Sequence, residues 1–209
     1  MTEQEALEIL ENVGAFRKGH FVLTSGRHSD SYINKDAIYP YSYETSRLCR
    51  GMAEHFATHD IEAVVGPTVG AAVLSQWVAY HLTGFAGHQV HGLYADKSGD
   101  GGFVIRRGYD RIISGKKTLV VEDLMTTGGS VQKVVDVARA AGANVVGVAA
   151  ICNRGNVTEK EIGNPPELLS LVKLQLDSWE EQACELCKRG IPVNTDVGHG
   201  KDFIAKKVA

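Results

Sequence analysis

One short stretch constrains the fold of this chain more than any other, because an apolar strand pattern runs directly into two carboxylates and a turn. It reads Thr118-Leu119-Val120-Val121-Glu122-Asp123-Leu124-Met125-Thr126-Thr127-Gly128-Gly129-Ser130. The β-branched apolar half is typical of a parallel strand that is buried on both faces. The apolar residues after the glycines have helical spacing, namely Val131, Val134, Val135 and Ala138. The stretch therefore predicts a strand, a turn and a helix of an open α/β sheet.

The turn in this stretch predicts a site for a phosphorylated sugar. Such turns lie at the carboxyl edge of the sheet, where the first N–H groups of the helix can hold a phosphate. Residues 126–130 combine two glycines, which permit close backbone approach, with hydroxyl donors. Glu122 and Asp123 can accept hydrogen bonds from sugar hydroxyls or face a positive charge. The alternative is a buried strand that ends in an ordinary Asp-capped turn. A Walker P-loop is disfavoured, since no Gly-x₄-Gly-Lys-Ser/Thr pattern occurs.

The composition excludes several classes of function. The 209 residues suffice for one domain with a sizeable core and a small appendage. The net charge of −3, without a long basic run, argues against nucleic acid as the main ligand. No stretch reaches the ~18 apolar residues that span a bilayer, and the acidic N-terminus lacks a signal-peptide core, so we expect a cytoplasmic protein outside membranes. The 4 cysteines are too few and too scattered for a disulfide framework, and we expect reduced thiols.

The first 37 residues differ in pattern from the rest of the chain. Thr2 and Glu5 have capping-box spacing and precede an amphipathic helix that stops at Gly14. Segments 20–27 and 30–35 read as two strands of a hairpin that turns through residues 26–29. We therefore assign residues 1–37 to a small N-terminal subdomain, or hood, and residues 38–209 to an α/β core with a C-terminal helix and tail.

The core alternates between helix and strand patterns. Helical spacing covers 42–56, 71–82 and 129–142, and strand patterns cover 63–66, 89–95, 102–106, 118–121, 144–152 and 168–174. This order predicts a mostly parallel central sheet with right-handed crossovers, flanked by helices. Residues 178–188 read as a helix capped by Ser178, and the polar tail from Asn194 is expected to be loosely ordered.

Three further segments carry candidate binding residues. The loop Gly66-Pro67-Thr68-Val69-Gly70 also joins a buried strand to a helix, which predicts a second anion site; the alternative is a tight connection. Residues 94–108 combine flexible glycines with Lys97, Arg106 and Arg107. Such a cationic loop suits a diphosphate leaving group, on which charge accumulates as the bond breaks, although a solvated turn is the alternative. Arg154 follows the strand that ends at residue 152 and can pair with a substrate carboxylate, while its residue type alone indicates a surface arginine.

These motifs together resemble a known family over nearly the whole chain. Residues 122–130 resemble the signature that binds 5-phosphoribosyl 1-diphosphate (PRPP) in type I phosphoribosyltransferases. Residues 14–16, the Gly-His-Phe-Val-Leu-Thr-Ser-Gly-Arg-His-Ser run at 19–29, the Gly66 loop and Cys152-Asn153-Arg154 follow in the order found in orotate phosphoribosyltransferases. The Cys-Glu-Leu-Cys-Lys-Arg-Gly-Ile-Pro ending at 184–192 is similar to that of a short-loop bacterial subgroup.

The resemblance implies an activity and a set of roles. It implies transfer of the 5-phosphoribosyl group from PRPP to orotate, in de novo pyrimidine biosynthesis, by an enzyme with the type I phosphoribosyltransferase fold. It implies that Thr68, Val69 and Gly70 hold the pyrophosphate of PRPP, and that Thr126 and Arg154 contact orotate near Tyr32 and Ile33 of the hood. Further PRPP contacts are expected from Arg106, Arg107 and all residues from Glu122 to Ser130, which include Leu124, Met125, Thr127, Gly128 and Gly129.

Catalysis is expected from Glu122 and Asp123, with help from Lys97. Many members of the family carry lysines where this chain has Thr24 and the Val69-Gly70 pair, and they have a longer mobile loop than residues 108–117. Lys97 is our candidate for the missing charge. Mg²⁺ is expected as cofactor, held mainly through PRPP rather than by protein ligands. The resemblance also implies a homodimer.

Two alternatives stay open at this stage. One is a phosphoribosyltransferase for another nucleobase, and the other is a PRPP-sensing regulator without catalysis. The charge balance and the lack of an added helix-turn-helix pattern argue against the regulator. The Cys184-x-x-Cys187 pair is half of a zinc site by spacing, with Cys152 and His199 as the plausible partners, but the helical pattern there favours simple burial of Cys184.

Overall fold

A computed structural model describes residues 1–208, which fold into seven α-helices and nine strands with three short 3₁₀ turns. The helices are α1 Glu3–Asn12, α2 Ser42–His55, α3 Gly70–Ala86, α4 Tyr109–Ile113, α5 Gly129–Ala140, α6 Glu185–Lys188 and α7 Gly200–Val208. The strands are β1 Phe16–Val22, β2 His28–Ile33, β3 Ala63–Pro67, β4 His91–Lys97, β5 Phe103–Val104, β6 Lys117–Met125, β7 Asn144–Asn153, β8 Leu168–Lys173 and β9 Ser178–Trp179. None of these helices is long and apolar enough to cross a bilayer.

The larger sheet has six strands in the order β5-β4-β3-β6-β7-β8. All neighbouring pairs are parallel except β4 and β5. Successive side chains of β6 point to opposite faces: Leu119 and Val121 pack with α2 and α3, and Val120 packs with α5. The predicted α/β architecture, a mostly parallel sheet flanked by helices, is confirmed. The strand β6 at its centre brings its carboxyl end to the middle of the sheet edge.

The smaller sheet has three antiparallel strands in the order β1-β2-β9. The hairpin of β1 and β2 turns over residues 23–27 rather than 26–29, because Leu23 and Arg27 close the turn with a backbone hydrogen bond. The helix α1 packs in the same apolar cluster as Leu171 and Val172 on the large sheet. The boundary at residue 37 between hood and core therefore stays a prediction.

The predicted helix over 178–188 is wrong. Ser178 and Trp179 form β9, which pairs with β2, and only Glu185–Lys188 is α-helical. The Ser178 hydroxyl accepts a hydrogen bond from Arg27 Nε at 2.9 Å instead of capping a helix. Pairing with a distant strand thus overrides the local helical preference.

The expectation of a loosely ordered tail is also wrong. The N–H of Asn194 donates to the carbonyl of His20 at 2.7 Å, and that of His199 donates to the carbonyl of Val22 at 2.9 Å. The chain then continues as α7, whose Phe203 ring meets the His28 ring edge to face at a centroid distance of 4.9 Å. The polar composition concealed this order because backbone groups make the contacts.

The edge strand β5 is shorter than the predicted segment 102–106. Only Phe103 and Val104 pair with β4, and Arg107 adopts a left-handed conformation with φ of 65°. Because that conformation does not continue a strand, the two arginines lie on a turn beyond the sheet.

Candidate active site

The turn between β6 and α5, which is predicted to bind an anion, is built around a glycine. Gly128 has a positive φ of 78°, and a Cβ there would lie 2.8 Å from the Ile162 side chain, so the turn requires glycine. The helix α5 then begins with N–H groups that have no partner within the helix. A small cavity of about 130 Å³ lies over this turn, lined by Glu122 and residues 124–131. The geometry suits a phosphate bound at a helix N-terminus.

Asp123 is buried and receives two donors from the segment that follows the hairpin. Its Oδ2 lies 2.9 Å from Lys35 Nζ and accepts a hydrogen bond from the Tyr39 hydroxyl. Burial would lower the pKa of Lys35, but the hydrogen bond to Asp123 and the nearby carboxylates outweigh it, so the pKa is raised. The pKa of Tyr39 is raised by burial and by the Asp123 charge, which keeps the phenol protonated. Asp123 is therefore held in place by a cation and a neutral donor.

Sequence reasoning missed Lys35 and Tyr39 as site residues. They precede Asp123 by 88 and 84 positions, and no local pattern connects them to it. The available signal was a lysine and a tyrosine directly after the second hairpin strand.

Glu122 lies in a less favourable environment for charge than Asp123. Its side chain is 6% exposed, and its one close donor is the backbone N–H of Asp123 at 2.9 Å from Oε1. Burial, followed by the charge of Asp123, raises the pKa of Glu122 to about 8. In the free protein at neutral pH, Glu122 therefore carries a proton much of the time.

The second loop, between β3 and α3, lies against the same carboxylates. A cavity of about 180 Å³ is lined by residues 67–71, Lys35, Lys97, Phe103, Glu122, Asp123, Leu124 and Ser130. Lys97 joins this site through its backbone N–H, which donates to Thr68 Oγ1 at 3.3 Å. A Cβ at Gly70 would collide with the Tyr39 hydroxyl and the Asp123 carboxylate, so glycine permits the loop to approach them. The structure thus brings Thr68, Val69, Gly70 and Lys97 together with both acids.

Arg106 and Arg107 are not brought into these cavities. Within residues 1–208, neither arginine lines the two cavities beside Glu122 or the cavity next to Arg154. Arg107 instead has its Nε 3.8 Å from Asp96 Oδ2 and its guanidinium 6.0 Å from the Tyr94 ring centre. Their role in PRPP binding stays a prediction.

A large cavity lies between the hairpin and the carboxyl edge of the large sheet. Its volume is about 630 Å³, and its lining includes Tyr32, Ile33, Thr126 and Arg154. Arg154 is half-buried, and its Nε donates a hydrogen bond to Thr126 Oγ1 at 3.1 Å. This bond fixes the guanidinium beside the turn between β6 and α5. Sequence reasoning missed Gly155, where a Cβ would collide with the Thr126 carbonyl. All four predicted base-binding residues therefore share one cavity.

The sheet, the two anion loops and the adjoining cavity define a phosphoribosyltransferase. The family model described as the phosphoribosyl transferase domain matches residues 44–186. Orotate phosphoribosyltransferase from Caldanaerobacter subterraneus subsp. tengcongensis is 38% identical over 193 residues, which cover 92% of this chain and 96% of that protein. The enzyme of the same name from Chlorobaculum parvum is 36% identical over 194 residues, 93% of this chain and 95% of its own. The chain belongs to the orotate phosphoribosyltransferase family.

A solved structure agrees with this assignment at the level of the fold. Orotate phosphoribosyltransferase from Mycobacterium tuberculosis, in complex with inorganic phosphate, superposes with a TM-score of 0.65. The match covers 82% of this chain and 95% of that chain, at 24% sequence identity. At that identity the likeness concerns the fold, which is the type I phosphoribosyltransferase fold predicted from the sequence.

Proposed function

We propose that this chain transfers the 5-phosphoribosyl group of PRPP to N1 of orotate, which gives orotidine 5′-monophosphate and pyrophosphate in de novo pyrimidine biosynthesis. One observation carries the proposal: two buried carboxylates lie between two anion-binding loops and adjoin a cavity that contains Arg154. The relatives named above supply the substrate pair. The C1′–oxygen bond to pyrophosphate breaks and the C1′–N1 bond forms, so no covalent intermediate on the protein is required.

We propose a role for each part of the site. Residues 126–130 bind the 5′-phosphate through the N–H groups at the start of α5. Residues 68–70, with Lys97, hold the pyrophosphate as its charge grows. Glu122 and Asp123 accept hydrogen bonds from the ribose hydroxyls and stabilise positive charge on the ring in the transition state. Both ends of PRPP are thereby fixed while the carbon between them reacts.

Mg²⁺ fits this site as an ion held mainly by the substrate. Of the two site carboxylates, Asp123 already pairs with Lys35 and Tyr39, and burial raises the pKa of Glu122. The protein therefore offers few free hard oxygen ligands. PRPP supplies phosphate and hydroxyl oxygens, which Mg²⁺ prefers. The ion neutralises charge on the pyrophosphate when bound.

Arg154 is proposed to pair with the carboxylate of orotate. The Arg154→Ala variant is expected to lower kcat/KM for orotate by about 100-fold, because a charge-assisted hydrogen-bonded pair is lost. Steady-state formation of orotidine 5′-monophosphate measures the effect, and Kd for PRPP, measured by calorimetry, should change little. The exposed Arg111 on α4 provides a control variant, Arg111→Ala, with expected wild-type kinetics. An equal loss in both variants, or none in Arg154→Ala, contradicts the assignment.

Lys97 is proposed to stabilise the departing pyrophosphate. Its exposed side chain lines the cavity between the Gly66 loop and the two acids. Lys97→Ala should therefore lower kcat by roughly 10-fold or more while the fold is unchanged. The comparison variant is Lys18→Ala, which changes an exposed lysine whose Nζ lies 3.9 Å from Glu11 Oε1 and which lines none of the three site cavities. Rapid-quench measurement of the chemical step reports the effect directly, and an unchanged rate defeats the role of Lys97.

A phosphoribosyltransferase for another base and a non-catalytic PRPP sensor are distinguished by one assay. PRPP consumption is measured with orotate, uracil, adenine, hypoxanthine and guanine offered separately. Turnover with orotate alone supports the proposal. Turnover with a purine or uracil instead supports the first alternative, and PRPP binding without turnover supports the second.

We further propose a homodimer of cytoplasmic chains. Support for the dimer comes from large apolar side chains that α2 and α3 leave exposed, including Tyr43, Val73, Tyr80 and Phe85. These helices pack against each other, so the exposed residues belong to one region of the surface. The mass measured by light scattering at micromolar concentration tests it, and the mass of a single chain contradicts it.

A further inference from the structure

Four side chains outside the active site meet in one buried cluster. His20 on β1, His28 at the start of β2, and Cys184 and Cys187 on either side of the start of α6 each present one metal-ligating atom. All four atoms lie within 4.8 Å of one another. His20, His28 and Cys184 are buried, and Cys187 is half-buried. We propose that these four residues bind one structural Zn²⁺ ion.

The separations between these atoms are close to those of a tetrahedral zinc site. Zinc bonds of about 2.3 Å to sulfur and 2.0–2.1 Å to nitrogen place neighbouring sulfur and nitrogen ligands about 3.6 Å apart. His20 Nε2 lies 3.6 Å from Cys184 Sγ and 3.7 Å from Cys187 Sγ, and His28 Nδ1 lies 3.4 Å from Cys187 Sγ. The two ring nitrogens are 2.7 Å apart and need to separate by roughly 0.6 Å to admit the ion. A small rotation of either ring supplies that movement.

Hydrogen bonds around the cluster orient a ligand in the way that zinc sites require. His20 Nδ1 lies 2.7 Å from the carbonyl of Ile191, to which it donates, so the lone pair of the ring is on Nε2 and points to the cluster. Nδ1 is the nitrogen of His28 that faces the cysteines, whereas its Nε2 is buried and has no hydrogen-bond partner within residues 1–208. Two thiols and two imidazoles are a donor set that favours zinc.

The partners expected from the sequence for the Cys-x-x-Cys pair were wrong. Cys152 lies on β7 of the large sheet, and His199 lines the large cavity instead. The expected burial holds for Cys184, but the thiols face His20 and His28 rather than an apolar environment alone. The two histidines could not be chosen from spacing because they precede the cysteines by more than 150 positions.

The ion would fasten the hairpin to the C-terminal segment. His28 is also the residue at which β2 pairs with Trp179 of β9, so the metal lies next to the junction of all three strands of the small sheet. Tyr32 and Ile33 extend from the same hairpin into the large cavity. The site is thus structural, because all four positions are filled by protein ligands and none is left for a substrate.

Metal analysis of protein purified without a histidine tag tests the proposal. We expect about one zinc ion per chain, retained through dialysis. The Cys187→Ser and His28→Gln variants should each lose most of it, whereas Cys49→Ala, which removes a buried cysteine of α2, should retain it. Zinc content that is the same in Cys187→Ser and in the wild type contradicts the proposal.

Cobalt substitution keeps the test decisive if a variant fails to fold. Wild-type protein freed of metal by chelator and titrated with Co²⁺ should develop the intense visible bands of a tetrahedral ion and a thiolate charge-transfer band, saturating at one equivalent. Weak octahedral bands alone overturn the proposal. So does a Cys184–Cys187 disulfide found by mass spectrometry after alkylation of protein isolated without oxygen. These readouts do not depend on turnover of PRPP.

Discussion

Replacing Asp123 with asparagine is expected to lower kcat by about 100-fold to 1000-fold. The amide preserves the shape of the side chain but removes the negative charge that we propose faces the ribose as positive charge develops there. The loss should fall mainly on kcat, with a smaller rise in KM for PRPP, because the interaction strengthens in the transition state. Single-turnover kinetics with saturating PRPP and orotate measure it.

Two comparisons make the Asp123 result specific. Asp136→Asn changes an exposed carboxylate on α5 and should leave kcat at the wild-type value. In Asp123→Asn, Lys35 and Tyr39 lose their charged partner. Thermal unfolding of this variant and of the wild type shows whether that loss unfolds the protein. A folded Asp123→Asn variant with unchanged kcat would falsify the proposed role of this carboxylate.

Replacing Glu122 with glutamine is expected to stabilise the protein while it reduces activity. The pKa of Glu122 is raised to about 8, so between the ordinary value of 4.5 and about 8 the folded state binds more protons than the unfolded state. Stability therefore falls as the pH rises through that window. Glutamine does not ionise and can still accept the hydrogen bond from the Asp123 N–H. The gain should be near zero at pH 4 and reach on the order of 4 kcal/mol at pH 8.

Denaturant unfolding at a series of pH values measures this gain. Glu167→Gln provides a contrast of opposite sign, because the hydrogen bond from His55 and the neighbouring His59 lower the pKa of Glu167. That carboxylate contributes stability above its ordinary pKa, so its removal should destabilise the protein near neutral pH. A gain for Glu122→Gln that does not vary with pH indicates that the raised pKa is not its cause.

The activity of the same variant reports the charge that catalysis needs. In the wild type, kcat/KM for PRPP should rise with pH and level off above about 8, as Glu122 in the free enzyme loses its proton. Glu122→Gln should lose this rising limb and have a lower plateau. A carboxylate that is costly to the fold and needed for the reaction is typical of active sites.

Much of this architecture could be predicted because its signals are local. The β6–α5 unit has an uninterrupted apolar strand, two acids and a glycine turn in direct succession, so the strand, the turn and the helix all follow from neighbouring residues. The Gly66 loop repeats the strand, turn and helix without the acids, and the position of Arg154 at the sheet edge follows from the end of β7. Parallel order then brings these ends to one edge.

The parts that could not be predicted depend on contacts between distant segments. Serine is a common helix-capping residue, so the local sequence favours a cap at Ser178. It forms a strand instead because it pairs with the edge of β2. The local sequence around Lys35 and His28 does not identify their partners, because Asp123 and Cys187 lie 88 and 159 positions further along the chain. Such side chains are identified only when the tertiary structure is known.

Because β9 follows the large sheet in the chain, the cavity beside Arg154 is completed later in the sequence than the two loops at the sheet edge. A growing chain that has reached Lys173 already contains every strand of the large sheet and both anion loops. The far wall of the base cavity, which includes Ser178, Gly198 and His199, is still unmade at that point. One side of the cavity proposed to bind the base is therefore completed by residues 176–199, which are synthesised after the two loops proposed to bind PRPP.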